Sequence, residues 1–317
     1  HHTQGGAHQA KRGRMDDALT RLTRHFIAGR YAAVLDEARA HPSAESRAWA
    51  ARATQRLGHA DEALKMARAA LLEKNTPLSR LVLAEALLGA AKYSEARGLT
   101  RGASEHPARR LYAELCGLLG EAEEGMVHAR LLLDEQEDPF ERAQTEATLA
   151  VCLHRAGRYA DARARWDAAL RGHIAVLGED HPEVAALLDG LGATLRRVGL
   201  AEEALDLHQR ALPMHERAFG ALHPAVAGNL HAQAQCQRRL GDFEGARQAL
   251  DDALIVSTQA QGADHPDTLV TAFELGRLEV DCGLVAEGFE RMSRAMSAAL
   301  DQLGPNHPTA RAMKAWM

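Results

Sequence analysis

Basic side chains return along this chain at a fixed interval. His154-Arg155, Arg196-Arg197 and Arg238-Arg239 stand 42 residues apart, and the series stops at Val280-Asp281. A guanidinium is a planar fork of donors that matches carboxylate and phosphate oxygens. Arginines repeated along one wall would therefore receive carboxylates, a phosphopeptide or an acidic segment. A second register, slightly earlier, reads Ala193, Gln235 and Arg277, and a third reads Asp189, His231 and Phe273. The last set is uneven in type, which suits a binding surface better than a packing position. The candidate peptide-binding residues are therefore Arg155, Asp189, Arg196, Arg197, His231, Gln235, Arg238, Arg239, Phe273 and Arg277. Arg196, Arg197, Arg238 and Arg239 would supply charge, and His231 and Phe273 a side-chain pocket. A plainer account competes with this one. Basic residues in a helix's last turn offset the negative end of its dipole by roughly 0.3–1 kcal/mol each. They would also pair with Glu202, Glu203 or Glu244.

Other chemistry finds no support. The chain has 17 histidines, six of them followed by proline, and the His-Pro pairs at 181, 223, 265 and 307 keep the 42-residue step. Ligands to one metal must converge within a few ångströms, whereas equivalent positions in stacked repeats stand on the order of 10 Å apart. The His-Pro pairs are read instead as caps that start a helix, with the ring packed on the preceding one. There is no phosphate-binding Gly-x-x-x-x-Gly-Lys, no His-Glu-x-x-His, no Gly-x-Ser-x-Gly and no dinucleotide fingerprint. No catalytic residue, metal or cofactor is expected.

A scaffold must bring these positions back every 42 residues. Gly178-Glu179-Asp180-His181-Pro182 recurs at Gly220, Gly262 and Gly304, and Gly157, Gly199, Gly241 and Gly283 mark a second turn in the same register. Two markers at one period define a repeat architecture. Each unit reads as a helix A starting at Pro182, Pro224 or Pro266, a Gly turn, and a helix B over roughly 201–219, 243–261 or 285–303. Upstream, turn markers at 29, 58, 91, 120 and 157 give shorter steps. Residues 1–14 read as a tag remnant or disordered lead, 15–138 as degenerate repeats, and 139–317 as the 42-residue repeats with a terminal capping helix. The expected fold is all-α: one continuous right-handed α-solenoid superhelix of stacked antiparallel helix pairs. The acidic run Asp134–Asp138 reads as a solvated, flexible joint, and Trp166 as core.

The pattern resembles the tetratricopeptide repeat, and its C-terminal half the kinesin-light-chain type. That family places small residues where helices meet. Gly192, Ala234 and Gly276 in helix A match, as do Ala204, Ala246 and Gly288, then Ala211, Ala253 and Ala295, in helix B. Helices separated by about 8–10 Å need small side chains at the contact. The resemblance implies that extended peptides bind along the concave, helix-A face, in some members through acidic and aromatic anchors.

Composition narrows the function further. Aromatics are 4% of the chain and the formal net charge is -5, too near zero to argue for nucleic acid or an anionic membrane. No apolar run reaches the length of about 18 residues needed to span a bilayer. Cys116, Cys152, Cys236 and Cys282 form no close pair and read as buried, reduced thiols of a cytoplasmic protein. The expected function is a non-catalytic protein-interaction module that grips a peptide or helical segment, acidic in character, in an arginine-lined groove. A ligand-sensing regulatory module of a larger signalling or transcription protein is one alternative. A self-assembling scaffold, acting as a homo-oligomer, is the other. The apolar tail 312–317 could fill the groove itself.

Overall fold

Histidine followed by proline decides where the long helices begin. In the four His-Pro pairs that keep the 42-residue step the histidine is the N-cap and its Nδ1 accepts the backbone N–H two residues on. The partners are Glu183 for His181 at 3.2 Å, Ala225 for His223 at 3.1 Å, Asp267 for His265 at 3.2 Å and Thr309 for His307 at 3.3 Å. Proline then occupies the first helical position, where its missing N–H loses nothing. The ring of His223 also stacks on Phe219 of the preceding helix, with centroids 4.3 Å apart. The expected cap is observed at these four pairs, and the expected packing of the ring on the preceding helix at His223.

The computed structural model describes residues 17–317. The expected lead over 1–14 and the first two residues of the expected repeats lie outside the described residues. Among the described residues there are 17 helices and no strand. They are α1 (17–27), α2 (Tyr31–Ala40), α3 (Ala44–Arg56), α4 (Ala60–Glu73), α5 (Pro77–Gly89), α6 (Tyr93–Thr100), α7 (His106–Leu118), α8 (Ala122–Glu135) and α9 (Pro139–Arg155). After these come α10 (Tyr159–Leu177), α11 (Pro182–Arg197), α12 (Ala201–Phe219), α13 (Pro224–Leu240), α14 (Phe243–Gln261), α15 (Pro266–Asp281), α16 (Val285–Leu303) and α17 (Pro308–Trp316). No helix among the described residues is long and apolar enough to cross a membrane.

Packing divides the chain into two units, one ending at Leu111 and one spanning Tyr112–Met317. In the first unit α2 to α6 each pack on their sequence neighbours, and in the second α8 to α17 do, as stacked helix pairs in the α-solenoid arrangement. In the second unit the odd-numbered helices also touch one another, α9 on α11, α11 on α13, α13 on α15 and α15 on α17. They form the A layer, and the even-numbered helices form the B layer. Small residues make the pairs close: Ala162, Ala169, Ala204, Ala211, Ala246 and Ala253 are all fully buried. Trp166 is core, as expected, with its indole N–H donated to Thr194 Oγ1 at 3.0 Å.

The turns between paired helices use glycine in the left-handed region, for example Gly157 at φ 76° and Gly199 at φ 91°. One turn lacks it. Ala91 holds φ 57°, and among the described residues it is the only non-glycine at positive φ. A Cβ in that region costs about 1–2 kcal/mol. Ala91→Gly is therefore expected to stabilise the chain by up to about 1 kcal/mol, the entropy of the freed unfolded chain offsetting part of the gain. A lower midpoint in urea for the glycine variant would contradict this account of the turn.

Two expectations are corrected here. Cys116, Cys152 and Cys236 are buried free thiols, but Cys282 is exposed. It caps the C-terminus of α15 at the turn, beyond the last buried stripe. The acidic run 134–138, which begins in the last residues of α8, is not a loose joint either. Its exposed members are Asp134, Glu135, Glu137 and Asp138, while Gln136 is 4% exposed and accepts from Thr145 Oγ1 at 2.8 Å. Arg142 holds the carbonyls of Leu133 and Gln136, and Asp138 caps α9 through the Glu141 N–H at 2.8 Å.

Candidate functional site

The last turns of three successive A-layer helices converge on one pocket of about 370 Å³. Arg196 and Arg197 come from α11, Gln235, Arg238 and Arg239 from α13, and Glu274, Arg277 and Asp281 from α15, with Phe243 at the start of α14. The 42-residue period accounts for this. It brings the same helical position to the same end of each A helix, so a basic pair at each helix end becomes a cluster. Six of the ten residues expected from the sequence meet here: Arg196, Arg197, Gln235, Arg238, Arg239 and Arg277.

The positive charge is unevenly matched. Arg238 donates Nε to Asp281 Oδ2 at 2.5 Å and lies 3.5 Å from Glu274 Oε2. Arg277 donates to Glu274 Oε1 at 2.7 Å. The α15 side of the pocket is therefore compensated. The α11 side is not. Arg239 donates to the backbone carbonyl of Arg196 at 2.9 Å, and Arg197 donates Nε to the Tyr159 hydroxyl at 2.8 Å while its guanidinium lies 5.3 Å from that ring's centre. The Arg196 side chain is half-buried, and its Nε is shut off from solvent without a hydrogen-bond partner. Burial, together with the repulsion of Arg239 and Arg197, pushes the Arg196 guanidinium pKa down, against the pull of Cys236 and Glu274. Such a group lacks a counter-ion.

The dipole account holds in part, since Arg239 does satisfy a terminal carbonyl of α11. The expected salt-bridge partners Glu202, Glu203 and Glu244 are not the ones used. Glu274 and Asp281 of α15, the next A helix, take that role for Arg238 and Arg277. Sequence reasoning missed both acids and Phe243. A signal was present: Asp281 stands 42 residues after Arg239, an acid where the register had carried arginine.

The other four expected residues lie outside the pocket lining. Arg155 is exposed at the end of α9. Its neighbour His154 holds Thr194 Oγ1 at 2.9 Å, and burial, with the charges of Arg155, Arg197 and Arg196, pushes its pKa down to about 4. Burial likewise pushes the His231 pKa below its ordinary value. Its Nδ1 meets Thr271 Oγ1 at 3.2 Å and its Nε2 accepts from the Gln235 amide at 2.9 Å, so it positions a pocket residue from behind. Phe273 is 4% exposed in a core cluster with Met292 and Met313, its ring edge-on to Trp316 at 6.0 Å. The Trp316 ring also carries the Arg277 guanidinium, 4.5 Å from its centre. The apolar tail thus backs one arginine of the pocket and is not among its lining residues.

Asp189 is held elsewhere, by the inner faces of α12 and α13. Its Oδ1 accepts from His208 Nδ1 at 2.8 Å and from Asn229 Nδ2 at 2.6 Å, and its Oδ2 from His215 Nε2 at 2.8 Å. Burial pushes this carboxyl up, but the hydrogen bonds and charges of His208 and His215 outweigh it, and the pKa lies below the ordinary carboxylate value.

Paired helices stacked at one period, with side chains gathered on the A layer, define an α-solenoid scaffold. The sequence profile of the tetratricopeptide repeat matches residues 141–217 and 183–254, and that stretch carries repeats of this family. No curated protein sequence matches the chain. Among solved structures, the Cut9–Hcn1 hetero-tetramer of the APC/C superposes with a TM-score of 0.66 at 14% identity, over 93% of this chain and 55% of that one. NprR in complex with its cognate peptide NprX gives 0.60 at 15% identity, over 83% of each chain. Nearly identical TPR-like repeats of kinesin-light-chain type from Podosopora anserina give 0.50 at 17% identity, over 63% of this chain and 99% of that one. At these identities the likeness concerns the fold alone.

Proposed function

We propose that this chain is a non-catalytic interaction module whose A-layer groove takes a peptide or helical segment, and that the arginine pocket receives an acidic group of that segment. One observation carries the reading: Arg196, Arg197 and Arg239 line one pocket with no carboxylate on any of them. Three like charges unmatched in one pocket, the Arg196 guanidinium among them half-buried, destabilise the free chain, and an anionic ligand relieves them. The fold is consistent with this use. NprR carries a bound cognate peptide, and Cut9 is assembled with Hcn1, on related scaffolds.

The test is a peptide-display selection on the immobilised chain, run beside an Arg197→Glu, Arg239→Glu double variant. Both side chains are exposed, so the variant is expected to unfold at nearly the native temperature. The native chain is expected to enrich acidic sequences and the variant to enrich none of them. Enrichment of one motif by both chains would remove the pocket from the binding site.

A further inference from the structure

We propose that the anion this pocket is built for is a phosphoryl dianion, carried on a phosphorylated segment of the partner. This rests on the peptide-binding reading above and narrows it. The argument is one of charge and of oxygen count.

Five guanidiniums and two carboxylates line the pocket, leaving an excess of three positive charges. The same pocket receives the C-terminal ends of α11, α13 and α15, each worth about half a negative charge. Roughly half of the excess is thereby neutralised, and about one and a half positive charges remain. A carboxylate brings one negative charge, and a phosphate monoester brings about 1.5–2 at neutral pH. The phosphoryl group matches the remainder.

Geometry points the same way. Three guanidiniums, from Arg196, Arg197 and Arg239, come from two helices without a carboxylate partner. A carboxylate offers two coplanar oxygens and satisfies one fork well. It would leave the other two cations unmatched. A monoester offers three terminal oxygens in a pyramid, so each guanidinium can address its own oxygen. Arginine also suits phosphate better than lysine would, and the lining contains no lysine. Glu274 and Asp281 stay on Arg238 and Arg277, which keeps the acids away from the incoming anion.

The experiment passes three peptide pools over the immobilised full chain. Each pool has degenerate flanks around one fixed residue: phosphoserine, glutamate or serine. Inorganic phosphate is the fourth probe, read as a shift in unfolding temperature. The phosphoserine pool is expected to be retained about tenfold more tightly than the glutamate pool. Arg196→Gln and Arg239→Gln are each expected to erase that preference. Arg239 is exposed, so its variant carries the test should the Arg196 variant fail to fold by circular dichroism. Equal retention of the glutamate and phosphoserine pools, lost in the variants, would overturn the phosphoryl assignment while leaving the acidic-peptide reading standing. Retention of no pool, with inorganic phosphate alone stabilising the native chain, would overturn the phosphorylated-segment proposal together with the peptide reading. Retention unchanged in both variants would overturn both by moving binding off this pocket.

Discussion

Asp189→Ala is expected to destabilise the unit containing residues 112–317 by about 3 kcal/mol, through loss of one acceptor shared by two buried imidazoles. His208 is fully buried and His215 is 2% exposed. With the carboxylate in place, His208 carries its proton on Nδ1 and His215 on Nε2. The opposite nitrogens, His208 Nε2 and His215 Nδ1, are buried without a partner. Neither ring can therefore escape by moving its proton to the other side. Asn229 has a second acceptor in the His208 carbonyl at 2.9 Å, so it loses less. Two orphaned N–H donors at about 1–3 kcal/mol each set the size of the effect. The unfolding temperature should fall by roughly 10 °C, at about 2–4 °C per kcal/mol for a chain of this length. Asp189→Asn should lose about half as much, because its amide oxygen still accepts from His208 and only His215 is stranded. The pH dependence has a definite sign. The folded-state pKa of Asp189 is depressed, so its contribution is fully present above the ordinary carboxylate range near 4 and is lost as the pH falls below it. Wild type and Asp189→Ala should converge in acid. An alanine variant within 0.5 kcal/mol of wild type at neutral pH, the usual range for surface substitutions, would refute the account.

Asp189 also shows how far register carries a sequence reading. The 42-residue step groups Arg196, Arg197, Arg238, Arg239, Gln235 and Arg277, which line one pocket because the ends of equivalent helices meet at equivalent places. It could not say which way a side chain in mid-helix turns. Asp189, His231 and Phe273 share a register, yet one is bound by two histidines of α12, one supports Gln235 and one packs under Trp316. What decides among them is the chemistry of the facing helix. His208 and His215 lie seven residues apart on one face of α12, a visible signal for a buried acid opposite. The exposure of Cys282 was not legible, because its register partners Val198 and Leu240 are apolar residues that a sequence reading buries. Those two are 47% and 42% exposed. Glu274 was not legible, since its register partners are Gly190 and Ala232, and nothing in two small residues announces a counter-ion.

Gly276→Val tests the scaffold under the pocket, with an expected loss of about 3 kcal/mol and, with it, of ligand binding. A Cβ at position 276 would stand 2.7 Å from the Gly288 carbonyl oxygen and 3.1 Å from the Met292 backbone nitrogen. Both obstacles are backbone atoms of α16, so no rotamer change relieves them, and α15 and α16 must move apart. The Met292 side chain, 0% exposed, would lose its packing as they did. This contact matters for function because α15 carries Glu274, Arg277 and Asp281. If α15 shifts, Arg238 loses both carboxylates at once, and the split between the compensated and uncompensated sides of the pocket disappears. Gly276→Val should therefore lower stability and binding together, whereas Arg239→Gln should lower binding alone. Urea midpoints and peptide retention measured on the same preparations separate the two. A valine variant with native stability would mean that the α15–α16 contact tolerates a branched side chain, and that small residues at this register are not what holds the pair at its close spacing.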